Sequence, residues 1–77
     1  MPRITLYYRE GCHLCEAFVA ELQQFQQRGQ LDYDSVDVDS SADLADKYGL
    51  RVPLLTRGDE VICEFFLDPD RLHAYVQ

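Results

Sequence analysis

The sequence predicts an α/β fold: one mixed sheet of four strands with three helices, in the order β-α-β-α-β-β-α. Three observations carry that prediction. A short β-rich run over residues 4–8 gives way at once to a stretch whose apolar residues recur at helical spacing. Gly29, Gly49 and Gly58 then punctuate the rest of the chain. Near the C-terminus, two strand-like runs flank Arg57-Gly58-Asp59 as a hairpin, and a last helix follows. A parallel crossover followed by a hairpin joins all the strands into one mixed sheet with helices on its faces.

Each element has its own local signal. Residues 4–8 form the first strand, and residues 9–11 are the loop leading to a helix over 13–28, which Gly29 stops. Within that helix Cys15, Phe18, Val19, Leu22 and Phe25 make a one-sided stripe that must face a core. Residues 31–38 form a second strand, with Tyr33, Val36 and Val38 as its expected core contacts. Ser40-Ser41-Ala42-Asp43 has a serine cap and an acid in the first turn, opening a short helix that presents Leu44, Ala45 and Tyr48 and ends at Gly49. The third strand is expected over 54–56 and the fourth over 61–66. Asp68-Pro69 then caps and begins the last helix, with Leu72, Tyr75 and Val76 on one face.

Composition narrows the function classes. Seventy-seven residues fit one domain over 1–77, long enough to bury a core, and 47% apolar content with five Tyr and four Phe excludes disorder. No apolar run approaches a transmembrane span, and the start Met-Pro-Arg-Ile-Thr lacks the pattern of a secretory signal, so a soluble cytoplasmic protein is expected. Fourteen acidic residues against seven basic ones argue against a nucleic-acid partner and, if the protein docks at all, favour a basic one. Three cysteines are too few and too odd in number for a secreted disulfide framework, so they read as redox or metal chemistry.

That chemistry centres on Arg9-Glu10-Gly11-Cys12-His13-Leu14-Cys15. The spacing brings two thiols within disulfide reach across the first helical turn. The helix start has unpaired N–H groups and partial positive charge, which favour a thiolate over a thiol. Cys12, before the first full turn, is the exposed candidate nucleophile. Cys15 lies on the buried stripe and is the candidate resolving thiol. An exposed attacker and a shielded resolver is the division that thiol–disulfide exchange requires.

With those residues in view, the chain resembles the glutaredoxin branch of the thioredoxin superfamily, close to its small glutaredoxin-like proteins. The resemblance rests on Tyr8 through Cys15, on Val52-Pro53, and on the compact element order, and it covers essentially the whole chain. It implies a thioredoxin-like fold and a thiol–disulfide oxidoreductase acting in cell redox homeostasis. It also implies that Pro53 is cis and faces the cysteines, leaving the Val52 backbone free to pair with an extended thiol substrate. Arg9 matches the family's basic position, which pairs with a ligand carboxylate.

The departures bear on the ligand. Relatives that hold glutathione carry Gly-Gly after the fourth strand, where this chain has Cys63-Glu64. Side chains there hinder a close backbone approach, and Glu64 opposes an anion. Glu10 stands where a proline is common. Glutathione is therefore expected to be at best a poor ligand, with no other cofactor. The expected partners are a disulfide-bearing protein or small thiol substrate and a protein dithiol donor, with the chain itself a monomer. His13 is a candidate modulator, since an imidazolium beside Cys12 would stabilise its thiolate. Cys63 reads as a small buried hydrophobe and His73 as a surface residue. Two rival readings remain. The Cys pair is half a metal or iron–sulfur site, to which Cys63, His13 or His73 would have to add ligands, or a bridged dimer would be needed. Alternatively the fold is a non-catalytic interaction module.

Overall fold

A computed structural model describes residues 3–29 and 31–76, without the side chain of Val76, so the contact expected of Val76 lies outside the described residues. Strand β1 (Ile4–Tyr8) lies inside a sheet of order β2-β1-β3-β4. It pairs in parallel with β2 (Tyr33–Asp37), matching Leu6 to Ser35, and antiparallel with β3 (Leu54–Arg57), matching Leu6 to Leu55. Strand β4 (Glu60–Glu64) closes the hairpin against β3, with a register shift between Leu55 and Thr56. The parallel step requires a crossover, and α1 (His13–Gln27) supplies it. The other helices are α2 (Ala42–Tyr48) and α3 (Pro69–Val76). The fold is thioredoxin-like.

The sheet separates two apolar clusters. On one face, Phe18, Leu22 and Phe25 of α1 and Leu72 of α3 pack on Ile4, Leu6, Leu55, Ile62 and Cys63. On the other, Val38 and Val52 are packed with Tyr7 of β1, Leu44 and Tyr48 of α2, and with Cys15. The odd-even alternation along β1 sends Leu6 to the first cluster and Tyr7 to the second. Tyr8 touches both.

Several boundaries differ from the sequence expectation. Helix α1 ends at Gln27 rather than residue 28, because Arg28 is its cap and donates its N–H to the Gln24 carbonyl at 3.2 Å. Gly29 follows at φ +72°, the left-handed conformation that favours glycine. Strand β2 is shorter than 31–38. The Asp37 carboxylate accepts the Asp39 N–H at 2.9 Å and starts a 3-10 turn (Val38–Ser40), so Val38 is fully buried without being part of the strand. Tyr33 and Val36 are only half-buried. Strand β3 extends to Arg57, which pairs with Glu60, and β4 accordingly begins one residue earlier than expected. It ends at Glu64, since Phe65 turns out of the strand at φ +65°.

Candidate functional site

Gly11, at φ +76°, turns the chain from β1 into α1 and delivers Cys12 to the helix N-cap. Cys12 has extended backbone angles (φ −93°, ψ 114°), and its Sγ accepts the Cys15 N–H at 3.2 Å. The sulfur thus does what a capping oxygen does: it takes up one of the unpaired N–H groups of the first turn. Cys12 is partly exposed, whereas Cys15 is 3% exposed. Burial, and after it the hydrogen bond with Cys12, pushes the Cys15 thiol up to about 11, against an opposing backbone contact from Arg9. Cys15 therefore keeps its proton at neutral pH.

This asymmetry predicts a labelling order. At pH 7 a thiol titrating near 11 is thiolate in only about one molecule in ten thousand. Brief alkylation of the reduced, folded protein at neutral pH, read by peptide mass spectrometry, should modify Cys12 and spare Cys15. Cys63 should also be spared, because it is 5% exposed and burial pushes its thiol up as well. Primary modification at Cys15 would reverse the assignment.

The structure brings Val52 to the pair. Val52 and Cys15 are buried in one cluster, with Cys12 packed against it, and the Tyr7 and Tyr48 rings stack beside them with centroids 4.3 Å apart. The Val52–Pro53 peptide bond is cis. Among the described residues the Val52 backbone has no hydrogen-bond partner, whereas the Pro53 carbonyl accepts the Phe65 N–H at 2.8 Å.

Arg9, the residue that the resemblance assigns to a ligand carboxylate, has partners within the protein. Its guanidinium forks onto Asp39, with Nε 3.0 Å from Oδ2 and Nη2 3.1 Å from Oδ1, and Nη1 donates to the Gly49 carbonyl at 3.3 Å. It thus ties the loop before Cys12 to the segment around α2, and a ligand carboxylate would have to displace Asp39. Gly49 makes the close approach possible: a Cβ there would lie 2.9 Å from Arg9 Nη2 and closer still to the Ala45 carbonyl oxygen.

The charge on Glu64 is also already matched. Both of its oxygens accept from Arg51, at 3.1 Å each, and this holds the Glu64 carboxyl below its usual range. Its expected repulsion of an anion is therefore compensated by a neighbouring cation. The steric half of that expectation stands apart from this, because Cys63 is a core residue whose Sγ accepts the Asp68 N–H at 3.4 Å.

His13 points into solvent with its side chain 99% exposed, and Nδ1 lies 3.8 Å from Glu16. His73 rests edge-on against Phe25, with centroids 5.7 Å apart. Among the described residues, no three His, Cys, Asp or Glu side chains form a group suited to a metal ion, so Cys63, His13 and His73 do not complete a ligand set with the pair. A cleft of about 440 Å³ runs beside Cys15 between the 9–11 loop and α1, lined by Glu10, Glu16 and Gln23 among others. A larger hollow, about 720 Å³, follows β4 and the start of α3 and is lined by neither Cys12 nor Cys15.

The sequence reading missed Asp39, Gly49 and Arg51 as neighbours of the site. Arg51 had a signal, since it directly precedes Val52-Pro53. It also missed Leu14, Phe65 and Phe66, large apolar residues that stay 40%, 39% and 70% exposed.

A thioredoxin-like sheet with a Cys-x-x-Cys pair opening its first helix defines a small thioredoxin-fold protein. The comparisons give the family. Residues 3–77 match the glutaredoxin-like domain (DUF836), and the chain belongs to that family. It is similar to protein Ne2328 from Nitrosomonas europaea, known from a solution NMR structure, with 36% identity over 100% of this chain and 94% of that one and a TM-score of 0.81. It is also similar to protein XcR50 from X. campestris. The X-ray structure of XcR50 aligns with 35% identity over 94% of this chain and 92% of that one at TM-score 0.69. Its solution structure gives 37%, 95% and 90% at TM-score 0.70. No curated protein matches the chain. No helix among the described residues is long and apolar enough to cross a membrane.

Proposed function

We propose that the protein is a thiol–disulfide oxidoreductase that reduces disulfides with the Cys12–Cys15 dithiol. The observation that carries this reading is the Cys15 N–H donated to Cys12 Sγ at the helix N-cap, with Cys15 itself buried and protonated. The thiolate of Cys12 attacks one sulfur of a substrate disulfide, forming a mixed disulfide and releasing the other half as a thiol. Cys15 then gives up its proton and attacks Cys12 Sγ. The second half leaves as a thiol, and the protein is left with a Cys12–Cys15 disulfide. Two electrons and two protons pass to the substrate. The Val52 backbone, which has no hydrogen-bond partner among the described residues and is packed with Cys15, lines up an extended substrate through main-chain hydrogen bonds.

A protein dithiol then restores the reduced pair. Glutathione is a weak donor on this reading, because Arg9 is engaged by Asp39 and the place of the family's glycines is taken by a core cysteine.

The test is to mix pre-reduced protein with a disulfide in single turnover, and in parallel to supply glutathione with its reductase or a thioredoxin reductase system. The expected result is loss of both active-site thiols, a Cys12–Cys15 disulfide by mass, and faster turnover with the protein-dithiol system. If the thiols persist in excess disulfide, the function is wrong. If glutathione supports the faster turnover, the donor assignment is wrong.

A further inference from the structure

An apolar pocket that the exchange reaction leaves unexplained begins at Leu14, the residue that precedes Cys15 in the first turn of α1, although neither thiol lines it. Its floor is one face of α1, Leu14, Ala17 and Glu21, and its wall is the loop Phe65-Phe66-Leu67. Its volume is about 190 Å³, and a cavity of roughly 150 Å³ accommodates a benzene ring, so it is sized for one large apolar side chain. Phe65 is held at φ +65°, a conformation that a bulky residue rarely adopts, and its N–H is bonded to the Pro53 carbonyl. The wall is thereby fastened to the residue next to Val52. Leu14 lies in the first turn of the helix that Cys12 caps. Phe65 and Phe66 occupy the two positions directly after Cys63-Glu64.

Charge narrows the occupant further. Glu21 closes the far end of the pocket, and the cleft on the other side of Cys15 carries Glu10 and Glu16. Glu64 is cancelled by Arg51, but these three are exposed, and the chain as a whole has net charge −7. Leu14 and Glu21 are seven residues apart on one helix face, about 10 Å along the axis. An extended peptide covers that distance in roughly three residues.

Resting on the oxidoreductase reading, we propose that the substrate is a disulfide in an extended protein segment, with a large apolar residue beside its cysteine and a basic residue about three positions further on. The apolar side chain fills the pocket between Leu14 and Phe66, and the basic one meets Glu21. Such a surface selects protein disulfides over small hydrophilic ones.

The experiment uses the full chain, pre-reduced, in single turnover. The probes are short acetylated peptides whose cysteine is joined to thionitrobenzoate as a mixed disulfide. The residue beside the cysteine is Leu or Gly, and the residue three positions beyond that neighbour is Lys or Glu. Attack by Cys12 on the peptide sulfur expels thionitrobenzoate, whose absorbance gives the rate, and Cys15 then frees the peptide thiol. The Leu/Lys peptide should react at least about ten-fold faster than the Gly/Glu peptide. Phe66→Ser, a change at a side chain that is mostly in solvent, should collapse the Leu/Gly preference, and Glu21→Lys should invert the Lys/Glu preference. Equal rates for all four peptides would overturn the substrate assignment while leaving the oxidoreductase intact. No reaction with any of them would remove the oxidoreductase reading itself, and the substrate with it. Sedimentation of the wild-type chain as a dimer that Phe66→Ser disperses would also overturn the proposal, since a second copy would then cover the pocket.

Discussion

Replacing Cys12 by serine is expected to reduce disulfide exchange to the uncatalysed rate, whereas replacing Cys15 by serine should leave the first step intact and stop the second. The reason is the division between the two sulfurs. Only Cys12 is partly exposed, and only its sulfur receives a helix-start N–H. A serine hydroxyl in its place stays protonated and does not attack sulfur at neutral pH. In Cys15→Ser, Cys12 still forms the mixed disulfide, but nothing inside the protein displaces it. The adduct should accumulate and appear by mass as protein plus one half of the substrate. Cys63→Ala should exchange like the wild type, because Cys63 lies in the core beneath β4 and α3 rather than at the pair. An adduct trapped by Cys12→Ser instead would invert the roles.

The raised Cys15 thiol adds a pH dependence. Resolution needs the Cys15 thiolate, and burial, which a mixed disulfide at Cys12 leaves in place, pushes that thiol up, so the step should accelerate as pH climbs above neutral. Stability moves the opposite way. The folded thiol holds its proton up to about 11, while an unfolded one releases it near 9.0. The reduced fold binds more protons than the unfolded chain in that window and loses stability across it as pH rises. Thermal unfolding of the reduced protein between pH 8 and pH 11, set against the Cys15→Ser variant, isolates this contribution.

What could be read from the sequence was local. The stripe through Cys15, Phe18, Leu22 and Phe25 both located α1 and sorted the two thiols, because one periodicity determines burial for the whole helix. Ser41 and Gly49 bounded α2 by capping chemistry. The errors arose where side chain and backbone compete. Phe65-Phe66 has high β-propensity and reads as strand, yet the hydrogen bond of Phe65 to Pro53 turns the chain outward there. Val38 is as buried as any strand residue, yet the Asp37 carboxylate winds the backbone into a 3-10 turn. The ion pairs were out of reach for a different reason. Arg9 finds Asp39 across 30 positions and Arg51 finds Glu64 across 13, and no local pattern encodes a partner at such separation. Those two pairs are also what changed the view of the ligand site, since they engage Arg9 and neutralise Glu64.

The Cys63-Glu64 replacement by Gly-Gly, the change that would restore the glutathione-type loop, is expected to separate into two unlike effects. Cys63 packs in the core with Leu55, Ile62 and Leu72, at 5% exposure. Cys63→Gly empties part of that core and places glycine inside a strand, for a combined cost of about 2–3 kcal/mol. For a domain of this size that lowers Tm by roughly 10–20 °C. Glu64→Gly removes a partly exposed carboxylate from Arg51 and puts glycine at the last residue of β4, so its Tm should fall by much less than that of Cys63→Gly. What Glu64→Gly does change is the neighbour of Val52. The Arg51 guanidinium loses its fork and becomes available to a ligand carboxylate beside the thiol pair. The single Glu64→Gly variant should therefore show a several-fold lower KM for a glutathione mixed disulfide, while the double variant gains little usable activity because it is partly unfolded at assay temperature. The gain should shrink with added salt, as expected for a partly exposed charge contact. If the double variant melts with the wild type, Cys63 is not the structural residue its burial implies. An unchanged glutathione KM in Glu64→Gly would mean that Arg51 does not face the ligand and that steric hindrance at Cys63 alone keeps glutathione out.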